Sequence, residues 1–368
     1  MRIRRARTLI LSFEGWQLTA FNFLTRQTGV LDEVDFVLLS LVEDWSSPTT
    51  IYSTLWWYDP YRLYAELDRL MDLGFLVVEG TAAGNLDIEY ESQWAWGAMA
   101  GYYHFGIKDP SYMNPEDTSS WLVGRVATLP LVSMYQTNDG CTDVMQLPPP
   151  RLDNPTLSLM KKRRSYRGFH PVEAVSLEDV SDCLFSGFGI TGFLETPIPG
   201  EGYLPLKMTP SGGARNPYEG FLYARRVHGL SPGFYHYSAI DNSLALVNDQ
   251  DLPNVGRLLA DQPWFDNAAA VILLVANFER TMWKYPHPTG FRVVLLEAGH
   301  IAQNILLTAT ALGLASAPTC AINDSTAQSS LGLTSLTKAA LYTVSLGIRS
   351  DTPTQADVVD IVPNPNLP

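Results

Sequence analysis

The sequence predicts an α+β fold, on three observations. Residues 290–312 form one long apolar stretch with helical spacing. Runs rich in β-branched and aromatic residues at 221–225, 234–237, 268–278 and 339–346 read as strands. These strands do not alternate regularly with helices, so a parallel βαβ repeat is not indicated. With 46% hydrophobic and 17% charged residues, the 368-residue chain is globular in composition and long enough for a sizeable core or two domains.

Element by element, the N-terminus Met1-Arg-Ile-Arg-Arg5 is basic, but the apolar stretch after it is interrupted by Ser12 and Glu14. It reads as an edge strand rather than a targeting peptide. Residues 31–42 have helical apolar spacing behind Asp32, a plausible cap. Residues 60–73 repeat the pattern with Leu63, Leu67 and Leu70 and stop at Gly74, after which 75–79 form a short strand. Two helices flanking a shorter one, followed by a strand, give a small helical, winged-helix-like module over 1–80. Such modules often bind DNA, but residues 1–100 hold 7 Arg, no Lys and 14 Asp or Glu. A protein-binding or structural role is expected instead. The aromatic-rich stretch 86–122 (Trp94, Trp96, Tyr102, Tyr103, Phe105, Trp121) is expected to pack between domains or at a dimer interface. Residues 146–155 carry four prolines in ten positions, an extended semi-rigid segment. The domain boundary is placed there, giving 1–150 and 151–368. Beyond it a helix should start at Ser176, where Ser176-Leu-Glu-Asp179 is like a capping box with Asp replacing Glu. Residues 268–278 read as a strand buried on both faces. The helix over 290–312 is apolar nearly all round, as in a dimer core.

Net charge is −13, so a polyanion is repelled and no nucleic-acid partner is expected; a basic or neutral peptide suits the field better. No apolar run reaches the roughly 18–20 residues of a membrane span, and no membrane association is expected. Cys141, Cys183 and Cys320 are odd in number and far apart, without a disulfide framework or CxxC site. A cytoplasmic location follows as the expectation. The six histidines lack ligand spacing, so no metal is expected, and His300 reads as a core residue.

Three runs carry candidate chemistry. Lys161-Lys-Arg-Arg-Ser-Tyr-Arg167 packs five cations and a seryl hydroxyl into seven residues. Guanidinium groups bind phosphate through forked hydrogen bonds; read alone, the run is equally a solvated basic turn. Thr209-Pro-Ser-Gly-Gly-Ala-Arg-Asn-Pro217 has two glycines that let backbone N–H groups approach a ligand, or it is an ordinary loop. Arg280-Thr-Met-Trp-Lys-Tyr-Pro-His287 follows the buried strand. Its adjacent Lys284 and Tyr285 make a candidate acid–base pair, because an ammonium favours a neighbouring phenolate; read alone, a snorkelling surface pair explains them better. Gly187-Phe-Gly-Ile-Thr-Gly192 matches GxGxxG, but it follows a helix and leads into a Pro- and Gly-rich loop, so it is rejected as a dinucleotide site.

In order, Arg163-Arg-Ser-Tyr-Arg167, Pro210-Ser-Gly-Gly-Ala-Arg215, Gly229-Leu-Ser-Pro-Gly-Phe-Tyr-His-Tyr237, Trp283-Lys-Tyr285, Glu297-Ala-Gly-His-Ile-Ala-Gln-Asn304 and Ala309-Thr-Ala-Leu-Gly-Leu314 resemble the SagB-type dehydrogenases of the nitroreductase superfamily. These mature thiazole/oxazole-modified peptides. The likeness covers roughly 155–350. It implies a nitroreductase-like fold and a homodimer with FMN at each subunit interface. Arg163, Arg164, Ser165 and Arg167 would hold the phosphate and ribityl chain, with Arg349 a late phosphate contact. Pro210, Ser211, Gly212, Gly213 and Arg215 would line the flavin from the partner subunit, and Lys284 and Tyr285 would be the catalytic pair. Three places depart from the family pattern: Ala317-Pro-Thr-Cys-Ala-Ile322, Pro286, and Gly290-Phe-Arg292.

The implied activity is FMN-dependent oxidation of azoline rings to azoles in a ribosomally made precursor peptide, beside a cyclodehydratase. Two rivals remain open at this point. One is an FMN-dependent NAD(P)H reductase of nitro, quinone or dehydroamino acid substrates; the other is a peptide-recruiting scaffold.

Overall fold

The computed structural model describes residues 1–130, 133–134, 144–196, 200 and 202–351, Pro115's side chain excepted. The chain opens with β1 (Ile3–Arg5), β2 (Leu9–Glu14), β3 (Gln17–Asn22) and β4 (Gln27–Leu31). There follow α1 (Glu33–Leu41), α2 (Pro48–Thr54), α3 (Pro60–Asp72), β5 (Leu76–Val78), α4 (Ala82–Gln93), α5 (Gly97–Gly106) and α6 (Pro115–Thr128). The second half runs α7 (Pro155–Lys162), α8 (Leu177–Phe188), β6 (Ile190–Glu195), β7 (Tyr203–Lys207), β8 (Tyr218–Ala224), β9 (Gly233–Ser238) and β10 (Ser243–Asn248). It closes with α9 (Val255–Leu258), β11 (Ala270–Asn277), α10 (Phe278–Lys284), α11 (Thr289–Ala311), β12 (Ala315–Thr319), α12 (Asp324–Ser330) and β13 (Lys338–Gly347).

A six-stranded sheet in the order β10-β9-β8-β11-β13-β12 forms the centre, with every neighbouring pair antiparallel. β11 (AVILLVAN) has seven of its eight residues buried. β8 and β13 pair with its two edges, and its alternate residues join separate cores on the two faces of the sheet, so no polar alternation is needed. α11 crosses the sheet, and α8 packs on it: a Cβ on Gly187 would lie 2.9 Å from Ile305 Cδ1, a contact only glycine permits. By length and composition alone α11 would suffice to cross a membrane, so the absence of a span-length segment inferred from the sequence does not hold. Its inner residues Val294, Ala298, Ile301, Ala302 and Ile305 are core. Leu295 and Leu296 are exposed, so the helix is apolar on two faces.

The N-terminal caps behave as their residues dictate. Asp32 Oδ1 accepts from Val34 N and Asp35 N, and Asp35 answers from Asp32 N at 3.0 Å, a complete capping box. At Ser176 only half of the expected box is recorded, with Ser176 Oγ accepting from Asp179 N at 2.9 Å. Gly74 ends α3 with φ +66, the left-handed turn that favours glycine. The helical module is corrected in one respect: β2, β3 and β4 form an antiparallel meander that the sequence reading folded into a single edge strand and loop. Its turns use Gly15 (φ +63) and Arg26 (φ +61), and the second lacks the Asn-Gly or Asp-Gly signature of a tight hairpin. A second correction concerns residues 190–195, expected as loop after the GxGxxG match; they are β6, paired with β7.

The aromatic stretch packs between the two halves. Trp94 stacks on His104 (centroids 5.6 Å apart, planes 7° apart) and meets Phe278 edge-on at 5.5 Å. Trp96 meets Phe291 at 5.7 Å, and with Phe105 these residues join the core of the central sheet. Tyr102, Tyr103 and Trp121 are instead about half exposed.

Candidate functional site

β11 organises the candidate residues, because they collect at its two ends. At the Asn277 end, Asn277 N donates to Pro217 O at 2.7 Å, tying the strand to the loop before β8. That loop is held from beneath. Ser211 Oγ and Gly212 N donate to Glu297 Oε1 at 3.1 and 2.7 Å, and Asn216 N donates to Ser211 Oγ at 2.8 Å. Glu297 projects from α11 and is 5% exposed. Burial raises its carboxyl pKa, against the two loop hydrogen bonds and the charges of His300 and Lys207. Gly213 adopts φ +61, followed by Ala214 at φ +56. Backbone in this region strains residues bearing a Cβ.

Lys284 and Tyr285 end α10 and face this loop. Lys284 Nζ lies 3.5 Å from Gly213 O, a long contact, and 5.8 Å from the Tyr285 ring centroid. A Cβ on Gly213 would collide with the Tyr285 hydroxyl and approach Lys284 Nζ to 3.0 Å. Trp96 Nε1 donates to Tyr285 O at 2.8 Å, so the N-terminal aromatic stretch helps fix the pair. Arg215 Nε donates to Gly213 O at 3.2 Å, and its guanidinium sits 5.1 Å over the Trp283 ring. The structure therefore brings together Ser211, Gly212, Gly213, Arg215, Lys284 and Tyr285. Pro210, exposed, leads into the loop.

The Ala270 end carries the other candidates. Phe169 and Arg349 form an antiparallel bridge. Tyr166 N donates to Ser316 O at 2.9 Å, His170 N to Ile348 O at 2.8 Å, and Ser350 N to Gly168 O at 2.7 Å. The Arg349 guanidinium lies 5.4 Å over the Tyr166 ring. Arg349 thus joins the run of Arg163, Ser165 and Arg167 despite their separation in sequence. Arg164 is turned back, donating to Lys161 O at 2.8 Å and Arg163 O at 2.7 Å.

The two clusters lie on opposite ends of one strand. Ala270 pairs with Leu346 near Arg349, and Ala276 pairs with Tyr218 near the glycine loop. Six residues at about 3.3 Å each separate them by about 20 Å.

The chain matches the profile of the nitroreductase family over residues 160–348. It belongs to the nitroreductase family. Members of this family are flavin-binding oxidoreductases. A protein named as a nitroreductase in Methanocaldococcus jannaschii is 33% identical over 187 residues, 50% of this chain and 87% of its own length. The trifolitoxin-processing protein TfxB of Rhizobium leguminosarum bv. trifolii is 28% identical over 144 residues, 37% of this chain and 38% of that protein. The microcin B17-processing protein McbC of Escherichia coli is 28% identical over 162 residues, 42% of this chain and 58% of that one.

Within this nitroreductase-family chain, Glu297 is the positioning residue that sequence reasoning quoted in a motif without assigning it a role. Its signal was the single carboxylate of a largely apolar helix. His300, expected in the core, is exposed, and the buried histidine is His104. Burial pushes the His104 pKa well down, aided by Lys108. Burial also drives the Cys183 thiol up to about 12, leaving it unreactive. Cys320 is exposed, and Cys141 lies outside the described residues.

Proposed function

We propose that the protein is an FMN-dependent dehydrogenase that oxidises azoline rings to azoles in a ribosomally made precursor peptide, acting as a homodimer. The observation that carries this reading is the convergence of Lys284 Nζ and the Tyr285 hydroxyl on Gly213, at a loop clamped by Glu297. The peptide side of the reading is supported by the relation to the two peptide-processing proteins.

The residues present fit FMN in kind. Arg349 lies over the Tyr166 ring and bridges Phe169, so it sits beside the segment that carries Arg163, Ser165 and Arg167, donors suited to a phosphate. At the other end Gly212 and Gly213 carry no Cβ, so Val293, Lys284 and Tyr285 come close against the loop backbone, and the catalytic pair stays beside the loop that would line the flavin. About 20 Å divides the two donor sets within one chain, so a second copy supplying the glycine loop is the natural way to complete a site. Exposed Leu295 and Leu296 on α11 give a dimer an apolar surface to cover.

Bound FMN supplies a two-electron acceptor for hydride. Tyr285 takes the proton from the azoline carbon as the ring becomes aromatic. The Lys284 ammonium offsets the charge of the phenolate that does so. Gly213, lacking a Cβ, keeps the hydroxyl free to reach substrate. A cyclodehydratase acting earlier on the same peptide would install the azoline.

FMN-loaded protein mixed anaerobically with an azoline peptide should bleach as the peptide loses one hydrogen pair by mass. Lys284→Ala and Tyr285→Phe should each slow this by about 10²–10⁴-fold with FMN retained. Wild-type rates in both variants would falsify the catalytic assignment. The 33% identity to the M. jannaschii protein favours a second reading, reduction by NAD(P)H. Bleaching by NADH or NADPH, with none by the azoline peptide, would select it.

A further inference from the structure

A cavity of about 450 Å³ opens beside the glycine loop, beneath the β6–β7 hairpin. This is the size range of small-molecule sites. Its walls are apolar where Phe188, Tyr237, Ile240 and Trp283 line it, and charged where Lys207, Glu219, His236 and Arg280 do. Ala214 and Arg215 form the wall it shares with the loop that Lys284 and Tyr285 touch.

The charges are unevenly committed. Glu219 is taken on both sides: Arg280 Nη2 donates to one carboxylate oxygen, and His236 Nε2 lies 3.2 Å from the other. Arg280 also donates to Asn216 O at 3.0 Å. Burial disfavours the Glu219 carboxylate, but Arg280, His236 and Lys338 together hold its pKa below the usual range. Arg280 and Glu219 therefore cancel. Lys207, half-buried at the end of β7, has no hydrogen-bond or ion-pair acceptor among the described residues; Glu219 and Glu297 act on it only at longer range. Its pKa is lowered to about 8 by burial and by the Arg280 charge. A half-buried ammonium without a close counterion is costly in a finished fold and is met more often where a ligand supplies the counterion.

We propose that this cavity binds the carboxylate of a ligand with an apolar body, the carboxylate pairing with Lys207 and the body resting against Phe188, Tyr237 and Trp283. One uncommitted cation matches a monoanion better than a phosphate dianion, and the volume suits a single acylated amino acid. The shared chemistry is a carboxylate on an apolar residue, whether at the C-terminus of a peptide or on a free organic acid. Lys207, the group that carries the proposal, lies outside the residues assigned to FMN and to the chemistry, so the proposal does not depend on the redox assignment.

The test measures binding to the FMN-loaded protein by calorimetry. N-acetylphenylalanine should bind at least fivefold more tightly than N-acetylphenylalaninamide, which keeps the ring and loses the charge. 3-Phenylpropanoate distinguishes the sources: equal affinity marks a free-acid site, weaker affinity a peptide C-terminus. Lys207→Met should abolish the preference for the acid, and Lys207→Arg should restore it, with a cooperative thermal transition in both. A preference under fivefold, a preference that survives Lys207→Met, or release of FMN by the probe overturns the proposal. Since no turnover is read, failure here leaves the dehydrogenase reading standing, and failure of that reading leaves this one standing.

Discussion

A methyl group on Gly213 would meet the Tyr285 hydroxyl and lie 3.0 Å from Lys284 Nζ, at a backbone φ of +61. Both atoms are the far ends of flexible side chains, so Gly213→Ala can be accommodated, but by displacing the two groups assigned to the chemistry. Left-handed strain adds about 1–2 kcal/mol. A displacement on the order of 1 Å in a positioned group costs about 10²-fold in rate. Gly213→Ala should therefore lower kcat by roughly 10–100-fold while the protein still melts cooperatively. A wild-type kcat in the soluble variant would remove Gly213 from the site. The adjacent Lys and Tyr were legible in the sequence as a pair. Their contact with Gly213 was not, because it depends on where α10 leaves β11.

At the scale of elements, β1 is anchored to α4 by a buried ion pair. Arg4 Nη2 donates to Asp87 Oδ2 at 2.6 Å, with side chains 5% and 2% exposed. Arg7 N donates to Asp87 Oδ1 at 2.8 Å, and Arg4 also reaches Glu91 Oε2 at 2.7 Å. Removing Asp87 leaves Arg4 paired with Glu91 but strips Arg4 Nη2 and Arg7 N of their acceptor, at a cost of about 2–3 kcal/mol. Asp87→Ala should lose that much in chemical denaturation. Asp44→Ala, removing an exposed partner of Arg7, should cost under about 1 kcal/mol. Equal effects would mean that the β1–α4 clamp is not what holds this region. The helices here were legible from caps and apolar spacing: Asp32 and Gly74 set their ends by local chemistry. The β2–β4 meander was not, since its strands are half-exposed and Arg26 turns left-handed without a conventional signal.

At the scale of the whole molecule, the two donor clusters on opposite ends of β11 turn the dimer into a testable requirement. If each site combines the arginine run of one chain with the glycine loop and Lys284-Tyr285 of another, two inactive variants complement each other. A heterodimer of Arg163→Ala/Arg167→Ala with Tyr285→Phe then contains one site with both wild-type halves. It should recover about half the wild-type activity per dimer, measured on doubly tagged, affinity-purified heterodimer. No recovery in a folded heterodimer would place both clusters in one-chain sites and sink the shared arrangement.

The sequence by itself determined the α+β class, the central buried strand, the capped helices and the ordered motifs that mark the family. Each follows from local spacing or from residue types whose chemistry needs no partner to be read. Only the tertiary structure decided which motifs meet. Antiparallel pairing carries Arg349 to the residues 163–167 and the glycine loop to Lys284-Tyr285, at opposite ends of one strand. It also decided that Glu297 clamps the loop and that Lys207 faces a cavity without a close counterion. Burial and charge pairing are set by neighbours distant in sequence, and no window along the chain contains them.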